Sequence, residues 1–86
     1  MIYKELFTLN FPNLTIKVDQ NIHIPKCGWI NTHDGIQGYD MSFDFDLKES
    51  KVLWDSFFDR SGLLTTEIRD QIDRHIDRLF KLKAFW

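Results

Sequence analysis

One cysteine, Cys27, two prolines and four glycines are all that this 86-residue chain holds of the residues that staple or break a backbone. A single thiol cannot form an internal disulfide, so the fold must rest on its core, and a reducing cytoplasm is the expected home. Without Pro- or Gly-rich tracts there is no linker, low-complexity segment or repeat to divide the chain, and one domain is expected. No apolar run approaches the roughly 18 residues that a membrane-spanning helix needs. The opening residues, Met1-Ile-Tyr-Lys-Glu-Leu-Phe, carry charges inside their apolar run and offer no small-residue cleavage site, so no secretory signal is expected.

Neither sign of charge prevails: 11 Lys and Arg stand against 13 Asp and Glu, a formal net charge of −2. That balance excludes a nucleic-acid binder driven by bulk positive charge, and it is too mild for wholesale imitation of DNA. Catalytic signatures are lacking as well. There is no phosphate-cradling glycine loop, no Ser-His-Asp order and no HExxH run, and no enzyme activity, cofactor or metal is expected.

Aromatic residues, in contrast, are plentiful: eight Phe, three Trp and two Tyr. Large rings bury much area per residue, which helps a short chain offset its ordering entropy. The clearest pattern is Tyr39-Asp-Met-Ser-Phe-Asp-Phe-Asp-Leu47. Its apolar residues alternate without a break with Asp40, Ser42, Asp44 and Asp46, which predicts a strand with one apolar and one acidic face.

Upstream, Ile2 to Leu9 reads as a strand with imperfect alternation, and Asn10-Phe-Pro-Asn13 as a turn. Leu14, Ile16 and Val18 alternate with Thr15 and Lys17, completing a hairpin. Asp19-Gln-Asn21 reads as a second turn. Ile22-His-Ile24 stops at Pro25, which predicts an edge strand or loop. Cys27 to Ile30 reads as a short extended piece. The stretch from about 19 to 38 therefore looks largely irregular, and long loops of this kind are often where binding happens.

Downstream the period changes. Leu53, Trp54, Phe57 and Phe58 share one side of a helix that Ser50 would cap and Gly62 would end. A second helix is expected from Thr65 or Thr66 to near Leu82. Ile68, Ile72, Ile76, Leu79 and Phe80 form its apolar stripe. Asp70, Asp73 and Asp77 form an acidic ridge opposite, and Arg74, Arg78 and Lys81 a basic one. Asp70 with Arg74, and Asp77 with Lys81, are spaced for i,i+4 pairs worth about 0.2–0.5 kcal/mol. The expected architecture is α+β: an antiparallel sheet of three to four strands in residues 1–47, followed by two helices in residues 48–86 packed on one sheet face.

Several groups could carry function. Asp40, Asp44 and Asp46 could present spaced negative charge to a partner, or hold a divalent cation if His33, Asp34 or Glu49 joined them. The plainer reading is a solvated face that discourages edge pairing. His23, Cys27 and His33, with Asp34, have zinc-ligand chemistry in no standard spacing, and Cys27 with a histidine would need an activated thiolate. A free cysteine is usually a small buried hydrophobe. His75 reads as a boundary histidine with a hydrogen-bond partner. Arg74 and Arg78, one turn apart, could clamp an acidic group, although a solvated helix face needs no such role. Trp29 and Trp86 are the aromatics expected to serve as exposed anchors.

The leading expectation is a non-enzymatic protein that occludes a surface of a larger protein or complex, as small inhibitors, immunity proteins and phage-encoded, anti-CRISPR-type counter-defence proteins do. Its partner-binding residues would be Asp40, Asp44, Asp46, Trp29, Arg74, Arg78 and Trp86, and a homodimer is compatible with the sequence. The alternative is a small nucleic-acid-binding module using Arg74, Arg78, Lys81 and Lys83. A third reading is an enzyme built on Cys27.

Overall fold

The structure is a computed structural model that describes residues 2–82. Five antiparallel strands follow one another across a single sheet in the order β1-β2-β3-β4-β5, and one helix, α1, closes the described chain. The strands are β1 (Tyr3–Phe11), β2 (Leu14–Asn21), β3 (Cys27–His33), β4 (Gly38–Asp46) and β5 (Lys51–Val52). The class is α+β as expected, with more strands and fewer helices than the periodicity predicts.

Cross-strand partners share a face, so the register defines two surfaces. The inner one carries the rows Val18–Ile30–Met41 and Ile16–Thr32–Tyr39, joined by Phe7 and Leu9 from β1. Phe43 and Phe45 extend it along β4, and Ile16, Val18 and Ile30 are fully buried. The helix lays Ile72 and Ile76 onto this surface, with Ile68, Leu79 and Phe80 packed around them. Leaving the other face to water is the usual solution for an antiparallel sheet.

The chain makes α1, Thr66–Lys81, for the reasons its sequence gives. The Thr65 side chain caps the N-terminus by accepting from the Ile68 N–H, and Leu82 closes the C-terminus. Lys81 and Asp77 form the expected ion pair at 2.9 Å, with Lys81 exposed and Asp77 half-buried. Asp70 and Arg74, spaced equally well, do not close one among the described residues.

Where the first helix was expected there is none. Lys51 and Val52 instead pair with Asp46 and Phe45 as β5, and a single 3₁₀ turn follows at Trp54–Ser56. Ser50 is not a helix cap. It sits buried in the β4–β5 turn with φ 59°, while Asp46 Oδ1 accepts from the Lys48 and Glu49 N–H groups to hold that turn. Two causes are physical. Residues 51–62 are rich in aromatic, Ser and Asp residues that favour helices weakly, and a segment this short is marginal as a helix even with better residues. A tertiary tether then decides. Asp73 on α1 accepts from the Val52 N–H at 2.9 Å and from Trp54 Nε1 at 2.8 Å. The expected apolar stripe is split as a result: Trp54 and Phe57 pack edge to face at 5.3 Å, whereas Phe58 is 79% exposed. Asp73 thereby leaves the solvated acidic ridge in which its spacing placed it. Gly62 does take a left-handed φ of 69°, but in a loop that the Asp59 carboxylate gathers by accepting from Ser61 and Leu64.

The stretch from 19 to 38 is also more regular than expected. β2 runs on through Asp19, Gln20 and Asn21, and β3 is a full central strand. Gln20, almost wholly buried, donates from Nε2 to the Pro25 carbonyl at 2.9 Å. Asn21 Oδ1 accepts from the His23 and Ile24 N–H groups. These two side chains shape the 22–26 loop. Between β3 and β4, Asp34 Oδ1 accepts from Ile36 and Gln37 around Gly35, whose φ is 92°.

Candidate protein-docking face

The outer surface of the sheet gathers side chains that lie far apart in sequence. One row runs Glu5–Asp19–Trp29–Ser42 across β1 to β4, and a second runs Lys17–Asn31–Asp40. Cys27 pairs with Asp44 one step along, where Cys27 Sγ and Asp44 Oδ1 lie 3.8 Å apart. Tyr3 reaches over from the sheet edge and meets Trp29 with ring centroids 5.7 Å apart.

Trp29 is fixed at the centre. Its Nε1 donates to Asp40 Oδ1 at 3.1 Å, and Asn31 Nδ2 donates to the same oxygen at 2.8 Å. The indole is thus partly exposed with its polar end already satisfied, which suits a rigid anchor at an interface. Glu5, Asp40 and Asp44 are exposed around it and Asp19 is half-buried, while Lys17 is a cation beside them.

The electrostatics of the face are uneven. Bonds from Asn31 and Trp29 lower the Asp40 pKa and keep it ionised. Asp19 is raised, first by burial and then by Glu5 and Asp40, against the pull of Lys17. Asp19 Oδ1 is shielded from solvent and accepts no hydrogen bond. Negative charge on this face is therefore present in excess of what its own donors satisfy, and a cationic surface laid over it would relieve the repulsion.

Two shallow clefts open here and share Ser42 and Ser56. One, of about 300 Å³, is lined by Tyr3, Cys27, Gly28, Phe43 and Asp44. The other, of about 400 Å³, lies between Trp29, Asp40, Met41, Phe58 and Arg60. Ser56 borders both, and Phe58 and Arg60 wall the second, because β5 pairs with β4 over only two residues and leaves the edge at Asp40–Ser42 to this loop.

Of the residues singled out in sequence, Asp40, Asp44 and Trp29 come together on this face. Asp46 lies at its end and is engaged by the turn. Arg74 and Arg78 are exposed on α1, which covers the opposite face of the sheet, so acidic and basic groups do not form one surface. Trp86 and Lys83 lie outside the described residues. His23, Cys27 and His33 are not brought together, and no group of metal-ligating side chains occurs among the described residues. His33 Nδ1 instead accepts from the Gly35 N–H at 3.0 Å. His75 donates from Nδ1 to the Gln71 carbonyl at 2.8 Å and stacks on Phe7. Glu5, Asp19 and Tyr3 join the face without a signal in any one segment, because only the register places them there.

The acidic groups predict an unusual pH profile. Asp19 and Asp73 are both raised, mainly by burial, above the ordinary value of 3.8. A raised carboxyl favours the folded state fully below the unfolded pKa, and that contribution is lost as pH rises through the folded pKa. Asp34, Asp40 and Asp59 are lowered from 3.8 and behave oppositely. Backbone bonds from Gln37 and Ile36 are the main cause for Asp34. For Asp59, burial pushes upward but bonds from Ser61 and Leu64 outweigh it. The urea midpoint is therefore expected to rise as pH falls from 7 towards the ordinary value, then to drop below it. A midpoint that declines steadily from pH 7 downward would contradict these assignments.

No described helix is long and apolar enough to cross a membrane. Comparison of the chain with protein-family models, with curated proteins and with solved structures finds no match, which leaves the geometry of this face as the ground for a functional reading.

Proposed function

We propose that this chain is a protein-binding module that docks its outer sheet face onto a basic surface of a larger protein, and so occludes that surface. The observation that carries the reading is the clustering of Glu5, Asp19, Asp40 and Asp44 around an oriented, partly exposed Trp29. An aromatic anchor within a charged rim is the common anatomy of a docking site, and complementary charge steers the encounter. A partner whose own function is to hold nucleic acid would present such a basic surface, and the carboxylates would then stand where phosphates otherwise bind.

The test is capture from the native host with the chain immobilised, followed by affinity measurement with the protein recovered. An Asp40→Lys, Asp44→Lys double variant is expected to bind at least about tenfold more weakly, because like charges brought together cost more than the ~1.4 kcal/mol that a factor of ten represents. An Arg74→Glu, Arg78→Glu variant should bind as the unmodified chain does. The reverse pattern, with a low-salt shift of DNA or RNA lost on changing the arginines, would instead favour the helix as a nucleic-acid-binding ridge.

A further inference from the structure

The smaller cleft offers a more specific assignment, which rests on the docking reading. Its lining contains a carboxylate, Asp44, the hydroxyls of Ser42 and Ser56, the Tyr3 ring and the Cys27 thiol, and no lysine or arginine. At about 300 Å³ it is at the small end of ligand pockets, the size of a side chain rather than of a cofactor. The neighbouring cleft carries Arg60 beside Asp40, so a cation entering there meets a repulsion that the smaller cleft lacks. Asp44 is exposed and meets the Cys27 thiol only at 3.8 Å, a weak donor, so its carboxylate retains capacity to accept.

We propose that this cleft is the seat of one arginine side chain supplied by the docking partner. The guanidinium is planar, carries five donors and stacks on aromatic faces, which matches a carboxylate and two hydroxyls set around a tyrosine ring. Its aliphatic stem would lie along the cleft wall at Gly28 and Phe43, where burial of methylenes adds to the ionic contact. The flanking Trp29 remains the apolar anchor of the same interface, two residues along β3 from Cys27.

The probe is acetyl-arginine amide, titrated into the full chain and followed by amide NMR shifts, with acetyl-citrulline amide as its uncharged counterpart. Saturable shifts are expected at Tyr3, Cys27, Ser42, Asp44 and Ser56. Binding should weaken at least about tenfold with citrulline and in an Asp44→Asn variant, the factor expected for loss of a charge-assisted bond. Alkylation of Cys27 by iodoacetamide should slow when the arginine probe is bound. Equal binding of citrulline, shifts centred elsewhere, or no saturation up to the solubility limit would overturn the assignment. If the Lys variants at 40 and 44 abolish partner capture while the arginine probe fails here, the cleft assignment falls and the docking face stands.

Discussion

Replacing Gly28 with valine is expected to cost more stability than any other single change on the sheet. Gly28 lies at the inner surface of β3 opposite Phe43, and a Cβ there would stand 2.4 Å from Phe43 Cζ and 2.8 Å from Phe45 Cε2. Those rings are buried and lock each other edge to face at 4.6 Å, so neither can swing aside freely. Overpacking by a methylene or so costs about 1–3 kcal/mol, which sets the expectation for alanine, and valine should exceed about 3 kcal/mol. Against a total of about 5–15 kcal/mol for a natural domain, that loss is large. Urea denaturation measures it. Adding Phe43→Leu to Gly28→Ala should recover part of the loss, because the smaller side chain vacates the contested space. A loss that the second substitution leaves unchanged would mean that ring contact is not its cause.

The second large effect belongs to Asp73. Alanine there removes the acceptor for both the Val52 N–H and Trp54 Nε1 and releases β5 and the 3₁₀ turn from α1. Each partly buried donor left unsatisfied costs about 1–3 kcal/mol, and together about 2–4 kcal/mol is expected after allowing for partial exposure. In a domain of this size that corresponds to a melting temperature lower by roughly 10–25 °C. Asparagine should fall between, since its amide oxygen can serve one donor while its NH₂ opposes the other. Trp54 emission should shift to the red in both variants. A melting temperature unchanged by Asp73→Ala would show that residues 51–58 hold their path without the tether.

The same tether explains which parts of the fold could be read from the residues. β4 and α1 are legible because their periodicity and their burial agree: Met41, Phe43 and Phe45 face the core, as do Ile72 and Ile76. β3 shows in the sequence as only a short extended piece because its inner positions are Gly28, Ile30 and Thr32, only one of which is strongly apolar. Glycine is chosen there to admit a ring, a need that nothing near it in sequence reveals. Leu53, Trp54, Phe57 and Phe58 follow a helical period yet form none, because Asp73, far along the chain, accepts from the Val52 N–H and Trp54 Nε1 and holds the segment on another path. On the docking face, Asp40 and Asp44 were visible along one strand. Asp19 was not, because Asp19-Gln-Asn21 has turn chemistry although β2 runs on through it, and Glu5 was not, because a register irregularity between Glu5 and Phe7 shifts the pairing counted back from the Pro12-Asn13 turn. Without that shift, Leu6 rather than Glu5 would stand opposite Asp19.

The meander has a kinetic consequence. Every strand hydrogen-bonds to the one just before or after it in the chain, so each pairing closes a short loop, and the cost of closure grows with loop length. Hairpins can then form one after another with little searching, and the long-distance step is the arrival of α1. Folding of this chain is expected to be fast for a protein made mainly of strands, with the sheet assembled before the helix seals it.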